Sequence, residues 1–360
     1  MEARILLLTS EFPPNNATGA RRPYYLARAL RAHGHSVTVL TSRSIDAAWP
    51  VELDGMHVHY LDRVTWPTGM TAWRKILGAF LRFWEGSPMH RPLQALLAPL
   101  LPLFPGRHWS LTDDEMLVLA GQPDIIVATG PSWNILHMAS RLSARTGAPF
   151  FTDHRDPWNV VVPDVALKCI NDHGRGLLAW IRRMRNLHLE RRVMGQVTGI
   201  TAASPAYLEN ARRIAPAGVP AQVIYNGWVP RAIPHKQRNE KFTLLYTGLT
   251  YAEQNWRLLT DVLERMVDER PDVRDRMVLK VRGQEGAASA LLRKCSERIG
   301  IVEVLPPIGR DELVAEAQQA DLLLSVIAEG NKGQLPLKLM DYLGYGRPIL
   351  LLGRTPGIQQ

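Results

Sequence analysis

Short apolar runs alternate with segments of helical spacing along the chain. The run RILLLTS at 4–10 ends in polar turn residues, which predicts a buried strand. The segment 19–35 follows with apolar residues at helical intervals, and the apolar run at 36–42 predicts a second strand. A strand, a helix and a strand in this order form a βαβ unit, which requires a parallel sheet.

The same alternation continues to the end of the chain. The run at 124–130 predicts a strand, 133–147 a helix and 148–153 another strand. After a polar stretch the pattern starts again with further strands and helices. These are predicted strands at 242–250, 277–283, 321–328 and 345–351, and predicted helices at 255–269 and 287–300.

The two sets of elements predict two domains of similar construction. A length of 360 residues also favours two domains over one. We predict a first domain over 1–228, a polar, proline-containing linker over 229–241 and a second domain over 242–360. The expected fold is therefore α/β, with two doubly wound Rossmann-like domains facing one cleft.

The charge of the chain is strongly basic. Lysine and arginine outnumber aspartate and glutamate by 43 to 34, a formal charge of +9, and most of the excess lies in 1–228. A basic half can face nucleic acid, an anionic membrane or phosphorylated small molecules, or it can be an ordinary solvated surface. No nucleic-acid-binding motif is present, so we expect no nucleic-acid partner.

The segment 64–109 combines aromatic and basic residues. Tryptophan and phenylalanine recur within it at helical spacing, and basic residues far outnumber acidic ones. A basic helix with an aromatic face can lie in the headgroup layer of a membrane. We expect contact with an anionic membrane surface here; the alternative is a helical hairpin packed on the first domain.

Cysteine use and hydropathy indicate the compartment. The chain has two cysteines, Cys169 and Cys295, without disulfide or zinc spacing, which favours a reducing environment. The N-terminus is typical of a strand and lacks the features of a signal peptide, and no apolar run is long enough to span a bilayer. We expect a cytoplasmic protein that can lie peripherally on the inner face of the cytoplasmic membrane.

Several familiar active-site motifs are missing from the sequence. It contains no G-x-G-x-x-G after the first strand, no P-loop, no H-E-x-x-H and no G-x-S-x-G. Dehydrogenases, P-loop ATPases, zincins and lipase-like hydrolases are therefore disfavoured. There is also no D-x-D at a strand end, which agrees with a reaction that needs no metal.

Polar residues follow two predicted strands of the first domain. Gly19 lies in the loop SEFPPNNATGARR, where a helix N-terminus offers free N–H groups to an anion, although it can also be a plain turn glycine. The run FFTDHRDPW places Asp153, Arg155 and Asp156 at the carboxyl end of a strand. Two carboxylates around an arginine at this edge form a candidate site, or an ion pair that pins the loop.

The segment EGNKGQLPLKLMDYLGYGRPILL at 329–351 separates two apolar runs in the second domain. A glycine-containing loop that enters a helix N-terminus can hold diphosphate oxygens, and Lys332 and Lys338 can add positive charge. A carboxylate such as Asp341 can accept two ribose hydroxyls. The alternative is an amphipathic helix with a solvated lysine and aspartate.

Together these segments resemble the retaining glycosyltransferases of glycosyltransferase family four, which have the GT-B architecture. They are similar in particular to the bacterial members that build surface polysaccharides. The matching pieces are ATGP at 128–131, D-x-R-D-P-W at 153–158, Asn-Gly at 226–227 and P-x-K-L-x-D-Y at 336–342. Two positions depart, because Leu249 and Gln254 stand where the family has the cations that hold the donor diphosphate.

The resemblance implies a retaining, metal-independent transferase without a cofactor. Its donor would be a nucleotide-sugar, and its acceptor a saccharide or a polyprenyl-linked molecule. The implied catalytic residues are Asp153, His154, Arg155 and Asp156. The implied donor-binding residues are Gly19, Gly248, Lys332, Gly333, Lys338, Asp341 and Tyr342. Because the family continues past the point where this sequence stops, we expect the second domain to be incomplete.

Within the implied donor site, the resemblance assigns separate roles. Asp341 would hold the ribose, and Lys332 and Lys338 would neutralise the diphosphate. Two other functions stay open: a sugar-nucleotide epimerase of the same architecture, and a membrane-peripheral subunit that binds a nucleotide-sugar without catalysis. The missing cations at 249 and 254 favour the latter.

Overall fold

A computed structural model describes most of the chain. The described residues are 2–15, 18–43, 50–64, 108–130, 133–162, 177–228, 231–252, 254–327 and 336–353. Tertiary contacts divide the chain into two compact units, Met1–Tyr225 and Asn226–Gln360. Most of the segment 64–109, for which we predicted membrane contact, lies outside the described residues.

The first unit is built on a mainly parallel sheet. Its described strands are β1 (Arg4–Thr9), β2 (Ser36–Ser42), β3 (Glu52–Leu53), β4 (Met56–Leu61), β5 (Arg63–Val64), β6 (His108–Trp109), β7 (Ile125–Thr129), β8 (Phe150–His154), β9 (Gly199–Ala202) and β10 (Ala221–Val223). Eight of them form one sheet in the order β10-β9-β8-β7-β1-β2-β4-β3, in which only β3 is antiparallel to its neighbour. Strands β5 and β6 form a separate antiparallel pair.

Helices cover both faces of this sheet. They are α1 (Thr18–Ala32), α2 (Asp113–Ala120), α3 (Trp133–Thr146), α4 (Leu177–Met194) and α5 (Pro205–Arg212). Successive side chains of β1 enter opposite cores: Leu6 packs in the core that contains residues of α3, and Leu7 in the core that contains Ala27 of α1. Burial on both faces explains why the strand is a continuous apolar run rather than an alternating one.

Local sequence sets several helix ends in the first unit. Thr112 and Glu115 form a reciprocal capping box at the start of α2. Ser204 caps α5, and Pro205 occupies its first turn, where a missing N–H costs nothing. Gly34, with φ of 84°, follows α1 and turns the chain into β2.

The second unit repeats this construction with fewer strands. Its described strands are β11 (Phe242–Thr247), β12 (Met277–Arg282), β13 (Val302–Leu305), β14 (Leu322–Val326) and β15 (Ile349–Leu352). Its helices are α6 (Trp256–Glu269), α7 (Val273–Arg276), α8 (Ser289–Ile299), α9 (Arg310–Gln319) and α10 (Leu337–Tyr345). The sheet is parallel, in the order β13-β12-β11-β14-β15, with Leu244 and Leu245 in separate cores on its two faces.

The strand orders locate the binding edges. In the first unit the chain proceeds from β1 to β2 on one side and later returns to place β7 on the other. In the second unit β12 and β14 flank β11 in the same way. In open α/β sheets, ligands bind outside the carboxyl ends of the strands at such a switch point. The candidate edges are therefore those of β1 and β7, and of β11 and β14.

The predicted α/β fold with doubly wound parallel sheets is confirmed. The strands and helices predicted from apolar periodicity occur in the predicted order, with ends that differ by a few residues. No helix within the described ranges is both long enough and apolar enough to cross a membrane.

Candidate functional site

Arg155 gathers three loops at the carboxyl edge of the first sheet. Its Nε donates to the carbonyl of Gly130, at 2.6 Å, and one terminal nitrogen donates to the carbonyl of Gly19. The same nitrogen lies 3.9 Å from a carboxylate oxygen of Glu11. Gly130 follows β7, Glu11 follows β1 and Gly19 lies in the first turn of α1. The guanidinium therefore joins the loops at the switch point of this sheet.

Gly19 lies against the ends of two charged side chains. A Cβ at this position would overlap the Glu11 carboxylate and the Arg155 guanidinium. A side chain here would therefore displace both groups, and Arg155 would lose its hydrogen bonds to Gly130 and Gly19. The predicted role of Gly19 in donor binding stays a prediction.

Asp153 forms a buried ion pair with Arg22 of α1. The guanidinium Nε and one terminal nitrogen donate to the two carboxylate oxygens at 2.8 and 2.6 Å. The Thr201 hydroxyl donates to one of those oxygens at 2.7 Å. Burial alone would raise the pKa of Asp153, but these hydrogen bonds and the charge of Arg22 outweigh it and hold the pKa below its usual value. Asp153 is therefore an ionised carboxylate.

Arg22 also forms a hydrogen bond next to β10, the strand at the edge of the sheet. The other terminal nitrogen of Arg22 donates to the carbonyl of Ile224, just after β10, at 2.6 Å. One arginine thus links α1 to the ends of β8 and β10. The sequence placed Asp153 beside Arg155 and did not single out Arg22. Its only signal was an arginine pair in the first turn of a predicted helix that begins at the same edge.

His154 lies on the opposite face of the sheet from Asp153. It is 3% exposed, its ring centroid is 6.3 Å from that of Trp133, and its Nε2 is 3.2 Å from the Thr152 hydroxyl oxygen. Burial lowers its pKa to about 4, partly opposed by the charge of Asp153. The imidazole is therefore neutral at neutral pH and belongs to a core. Adjacent strand residues point to opposite faces, which explains why the two predicted catalytic residues are not brought together.

Asp156 begins the irregular segment that follows Arg155. Burial raises the pKa of its carboxyl group, and the nearby charge of Arg155 partly opposes this. Trp158, two residues further on, is fully buried and stacks on Trp133, with ring centroids 4.4 Å apart. Asp156 is therefore held at the edge by a segment whose next aromatic residue is anchored in the core.

In the second unit, loops after neighbouring strands lie backbone to backbone. Gly248 follows β11 with φ of 100°, a conformation that side chains disfavour. A Cβ on Gly283, after β12, would be 2.5 Å from the carbonyl oxygen of Gly248. A Cβ on Gly286 would overlap the carbonyl of Thr250. Three glycines therefore allow the two loops to form one closely packed wall beside the switch point.

Lys338, in the first turn of α10, points at this wall. Its Nζ lies 3.4 Å from the centroid of the Tyr246 ring and 3.5 Å from the position that a Gly248 Cβ would take. The ring face attracts the cation. Burial lowers the pKa of Lys338 to about 7, and no carboxylate in the described part of the chain contributes to that value. An amine with a depressed pKa at a helix N-terminus is a suitable group to meet an anion.

Tyr342 and Asp341 follow on the same helix. The Tyr342 hydroxyl accepts from the Thr247 N–H at 3.0 Å and donates to the carbonyl of Leu324 at 3.2 Å. Its side chain is fully buried, so it ties the end of β11 to β14 from within the core. Asp341 is half-buried. Lys332 and Gly333, also predicted to bind the donor, lie outside the described residues.

Gln254 occupies the position of one missing cation and has a structural role. Its carbonyl oxygen accepts from the Tyr251 N–H at 2.8 Å and from the Trp256 indole N–H at 3.0 Å. Its amide nitrogen donates to the carbonyl of Val326, at the end of β14, at 2.7 Å. The side chain therefore fixes the loop after β11 and leaves Lys338 as the cation that faces it among the described residues.

Several solved structures that resemble this one are GT-B glycosyltransferases. Lipopolysaccharide outer core galactosyltransferase WaaB in its apo form matches with a TM-score of 0.51 and 13% identity, over 98% of this chain and 82% of that chain. Anabaena HepE in complex with UDP matches with a TM-score of 0.54 and 14% identity, over 100% and 82%. Trehalose 6-phosphate synthase from Burkholderia multivorans matches with a TM-score of 0.58 and 13% identity, over 97% and 83%.

At such identities the likeness establishes the fold, which is that of the GT-B glycosyltransferases. No curated protein matches the chain significantly. The profile of the glycosyl transferase 4-like domain matches residues 18–227, more than half of the chain. The chain belongs to this glycosyl transferase 4-like family, which confirms the resemblance drawn from the sequence. The roles of individual residues stay predictions.

Proposed function

We propose that this glycosyltransferase moves a sugar from a nucleotide-sugar donor to a saccharide or lipid-linked acceptor, with retention and without a metal. The donor binds at the switch point of the second unit, and the acceptor binds the first unit. Cell-surface polysaccharide synthesis is the proposed setting. The solved structures offer a parallel, since HepE is described with UDP and glucose.

The position of Lys338 carries the proposal. Its ammonium group lies beside Gly248, at the carboxyl edge of β11 and at the N-terminus of α10. A diphosphate there meets a cation, free helix N–H groups and a glycine that permits close approach. Asp341 holds the ribose of the same nucleotide from the next turn of α10.

The chemistry needs positioning and charge stabilisation more than a protein nucleophile. As the bond from the sugar to the diphosphate breaks, negative charge develops on the diphosphate, and protonated Lys338 stabilises it. The acceptor hydroxyl attacks from the same face, and its proton passes to the departing diphosphate. Arg155 and Asp156 shape the acceptor side by fixing the loops at the first switch point.

Nucleotide binding tests the donor site. Titration calorimetry with UDP, GDP, ADP and dTDP and their sugar conjugates is expected to give micromolar binding of one base. Lys338→Met and Asp341→Ala should each weaken it at least about tenfold, the loss expected for one charge-assisted contact. Lys294→Met is the matched control, because Lys294 is exposed on α8 of the same unit. Equal affinity in Lys338→Met and the control would refute the assignment.

The replaced cations favour a second candidate, a nucleotide-sugar-binding subunit without catalysis. Leu249 and Gln254 remove the two positive charges that the family places in this loop. Binding without release of free nucleotide, over a panel of acceptors, would support the subunit. Interconversion of the sugar on its nucleotide would instead indicate an epimerase. Equal transfer in EDTA and in Mg²⁺ would support metal independence.

We also propose peripheral contact with the inner face of the cytoplasmic membrane. Residues 65–107 lie outside the described part, so this proposal rests on their basic and aromatic sequence. Co-sedimentation with vesicles of anionic lipid, but not with zwitterionic vesicles, is the expected result. Equal recovery in the absence of vesicles would count against it.

A further inference from the structure

A buried carboxyl group lies beneath the segment that follows Arg155. Glu190, in the last turns of α4, is 2% exposed. The side-chain amide of Asn159 donates to Glu190 Oε2 at 2.8 Å, and the backbone N–H of Asn159 also donates to this carboxyl group. Nothing in the proposed sugar transfer uses Glu190, and a buried carboxyl group is costly to keep without a purpose.

A second helix holds the same segment. Asn210 of α5 is buried, and its side-chain oxygen accepts from the backbone N–H of Val161 at 2.8 Å. Its side-chain nitrogen donates to the carbonyl of Asn159 at 2.7 Å. On α4, Arg183 also donates to the carbonyl of Val160 at 2.8 Å. Side chains from two helices therefore satisfy the main chain of three successive residues.

The segment needs these partners because it has no regular structure. Residues 155–161 lie between β8 and the next described helix, outside any strand or helix. Buried backbone groups in such a segment must find side-chain partners. Arg155 and Asp156 stand at its start, and Trp158 is anchored against Trp133. The conformation that presents the two charged residues is thus set by contacts further along.

We propose that Glu190 is a positioning residue for sugar transfer, which with Asn159 and Asn210 fixes the segment 155–161 and so presents Arg155 and Asp156 at the sheet edge. The inference rests on the proposed function for its catalytic consequence. It goes beyond that function because Glu190 is buried beneath the segment and is not among the residues proposed to bind donor or acceptor. We name Glu190, Asn159 and Asn210 the Glu190 clamp.

The clamp works with a neutral carboxyl group. Burial raises the pKa of Glu190 to about 8, partly offset by the Asn159 hydrogen bonds and by the charge of Arg191. The surrounding elements carry further ionisable groups: Arg183, Arg185, His188, Arg191 and Arg192 on α4, Arg155 and Asp156 on the segment, and Tyr207, Glu209 and Arg212 on α5. Ionisation of Glu190 above pH 8 places a charge in the core that the Asn159 hydrogen bonds and Arg191 offset only in part, and its desolvation cost weakens the packing around the segment.

Two substitutions at Glu190 distinguish the effect of its hydrogen bonds from the effect of its charge. Glu190→Gln keeps a neutral acceptor of the same length, whereas Glu190→Ala removes it. Glu209→Gln is the control, because Glu209 is exposed on α5 and pairs with exposed Arg213. Amide hydrogen exchange, read by mass spectrometry, should show at least about tenfold faster exchange over 156–162 in Glu190→Ala, because released amides lose their protection. Glu190→Gln and the control should keep wild-type rates.

Kinetics then test the consequence for transfer. Glu190→Ala should lower kcat about tenfold or more and leave the KM for the donor unchanged, since the donor binds the second unit. Glu190→Gln should restore kcat and abolish a loss of activity that the wild type shows near pH 8. If Glu190→Ala does not fold, Asn159→Ala replaces it in the same kinetic measurement, and the pH profile of Glu190→Gln is recorded beside it.

The outcomes of the two experiments are distinct. Unchanged exchange over 156–162 in a folded Glu190→Ala protein overturns the Glu190 clamp, whatever the activity. Fast exchange with unchanged kcat overturns its role in positioning. If the wild type transfers no sugar to any acceptor, the proposed function fails, while accelerated exchange in Glu190→Ala still supports the clamp itself.

Discussion

Binding of a nucleotide diphosphate beside Lys338 is expected to draw a proton from solution. Burial holds the pKa of Lys338 at about 7, so about half of the free molecules carry a neutral amine at pH 7. A neighbouring anion favours the charged form and returns the pKa toward its ordinary value. Uptake should then be about 0.5 proton per site at pH 7 and about 0.9 at pH 8.

The same shift sets the pH dependence of affinity. If only the protonated amine binds the diphosphate well, the Kd should rise about tenfold per pH unit above pH 7. The free energy of unfolding, by contrast, increases with pH over the range in which the affinity falls. Because the folded pKa of Lys338 is below its unfolded value, the unfolded chain binds more protons between pH 7 and 10, and burial of Lys338 costs less stability as pH rises.

Titration calorimetry in two buffers measures the proton count. The enthalpy of binding a nucleotide-sugar is recorded at pH 8 in Pipes and in Tris, which differ widely in ionisation enthalpy. The slope of the observed enthalpy against the ionisation enthalpy is the number of protons taken up. A nucleotide-sugar is preferred because its diphosphate has no group that titrates near pH 7.

Lys338→Met should abolish the slope, and Lys294→Met should retain it. A wild-type slope of zero at pH 8, with measurable binding, would refute the link between Lys338 and the diphosphate. A slope that persists in Lys338→Met would assign the proton to another group. Either result would leave the lysine as a core residue packed on Tyr246.

Three further substitutions test other parts of the structure. Gly19→Ala should lower the free energy of unfolding by about 1 kcal/mol, because the methyl group displaces the Glu11 carboxylate and the Arg155 guanidinium from its hydrogen bonds, whereas Gly227→Ala meets open space and should be near neutral in chemical denaturation; equal effects would contradict the packing argument. Arg22→Met should cost about 3–5 kcal/mol at neutral pH, because Asp153 is left buried and unpaired. That cost should shrink as pH falls below about 4, since the depressed pKa of Asp153 stabilises the wild type only while the carboxylate is ionised; a constant difference would count against the ion pair. Glu190→Gln should gain stability over the wild type from pH 5 to 8 in urea melts, because stability from a carboxyl with a raised pKa is lost as pH rises; parallel melts at all pH values would show that Glu190 does not titrate with folding.

The fold could be predicted because its signals are local. Buried parallel strands are short apolar runs, and the helices between them have a clear apolar face, as in 256–269. Gly19 and Lys338 could also be singled out, since each lies in the first turn of a helix that follows a buried strand of a switch point. The resemblance to the family then assigned functional roles to these residues.

The partners of the predicted residues could not be read from the sequence. Asp153 and Arg22 are 131 positions apart, and only the order β10-β9-β8-β7-β1 brings the start of α1 over the end of β8. Glu190 looks like an ordinary surface residue in an arginine-rich helix, because its helix shows little apolar periodicity. The side chain of Tyr342 lies in the core, which its spacing on α10 did not reveal, and its predicted role at the donor stays a prediction. The spacing of apolar residues identified the strands and helices. Which side chains form ion pairs at the edge of the sheet depends on the order of its strands, which the spacing does not give.

The hydrogen bonds of Gln254 have a consequence for evolutionary change in this site. A lysine at 254 would restore the family's charge but would provide no acceptor for the Tyr251 N–H and the Trp256 indole N–H. The substitution alone therefore restores a positive charge but leaves two N–H donors without their acceptor. A cation at 254 therefore fits only a loop in which the Tyr251 N–H and the Trp256 indole N–H find other acceptors. Replacing Gln254 would therefore call for compensating changes at its hydrogen-bond partners in the same loop.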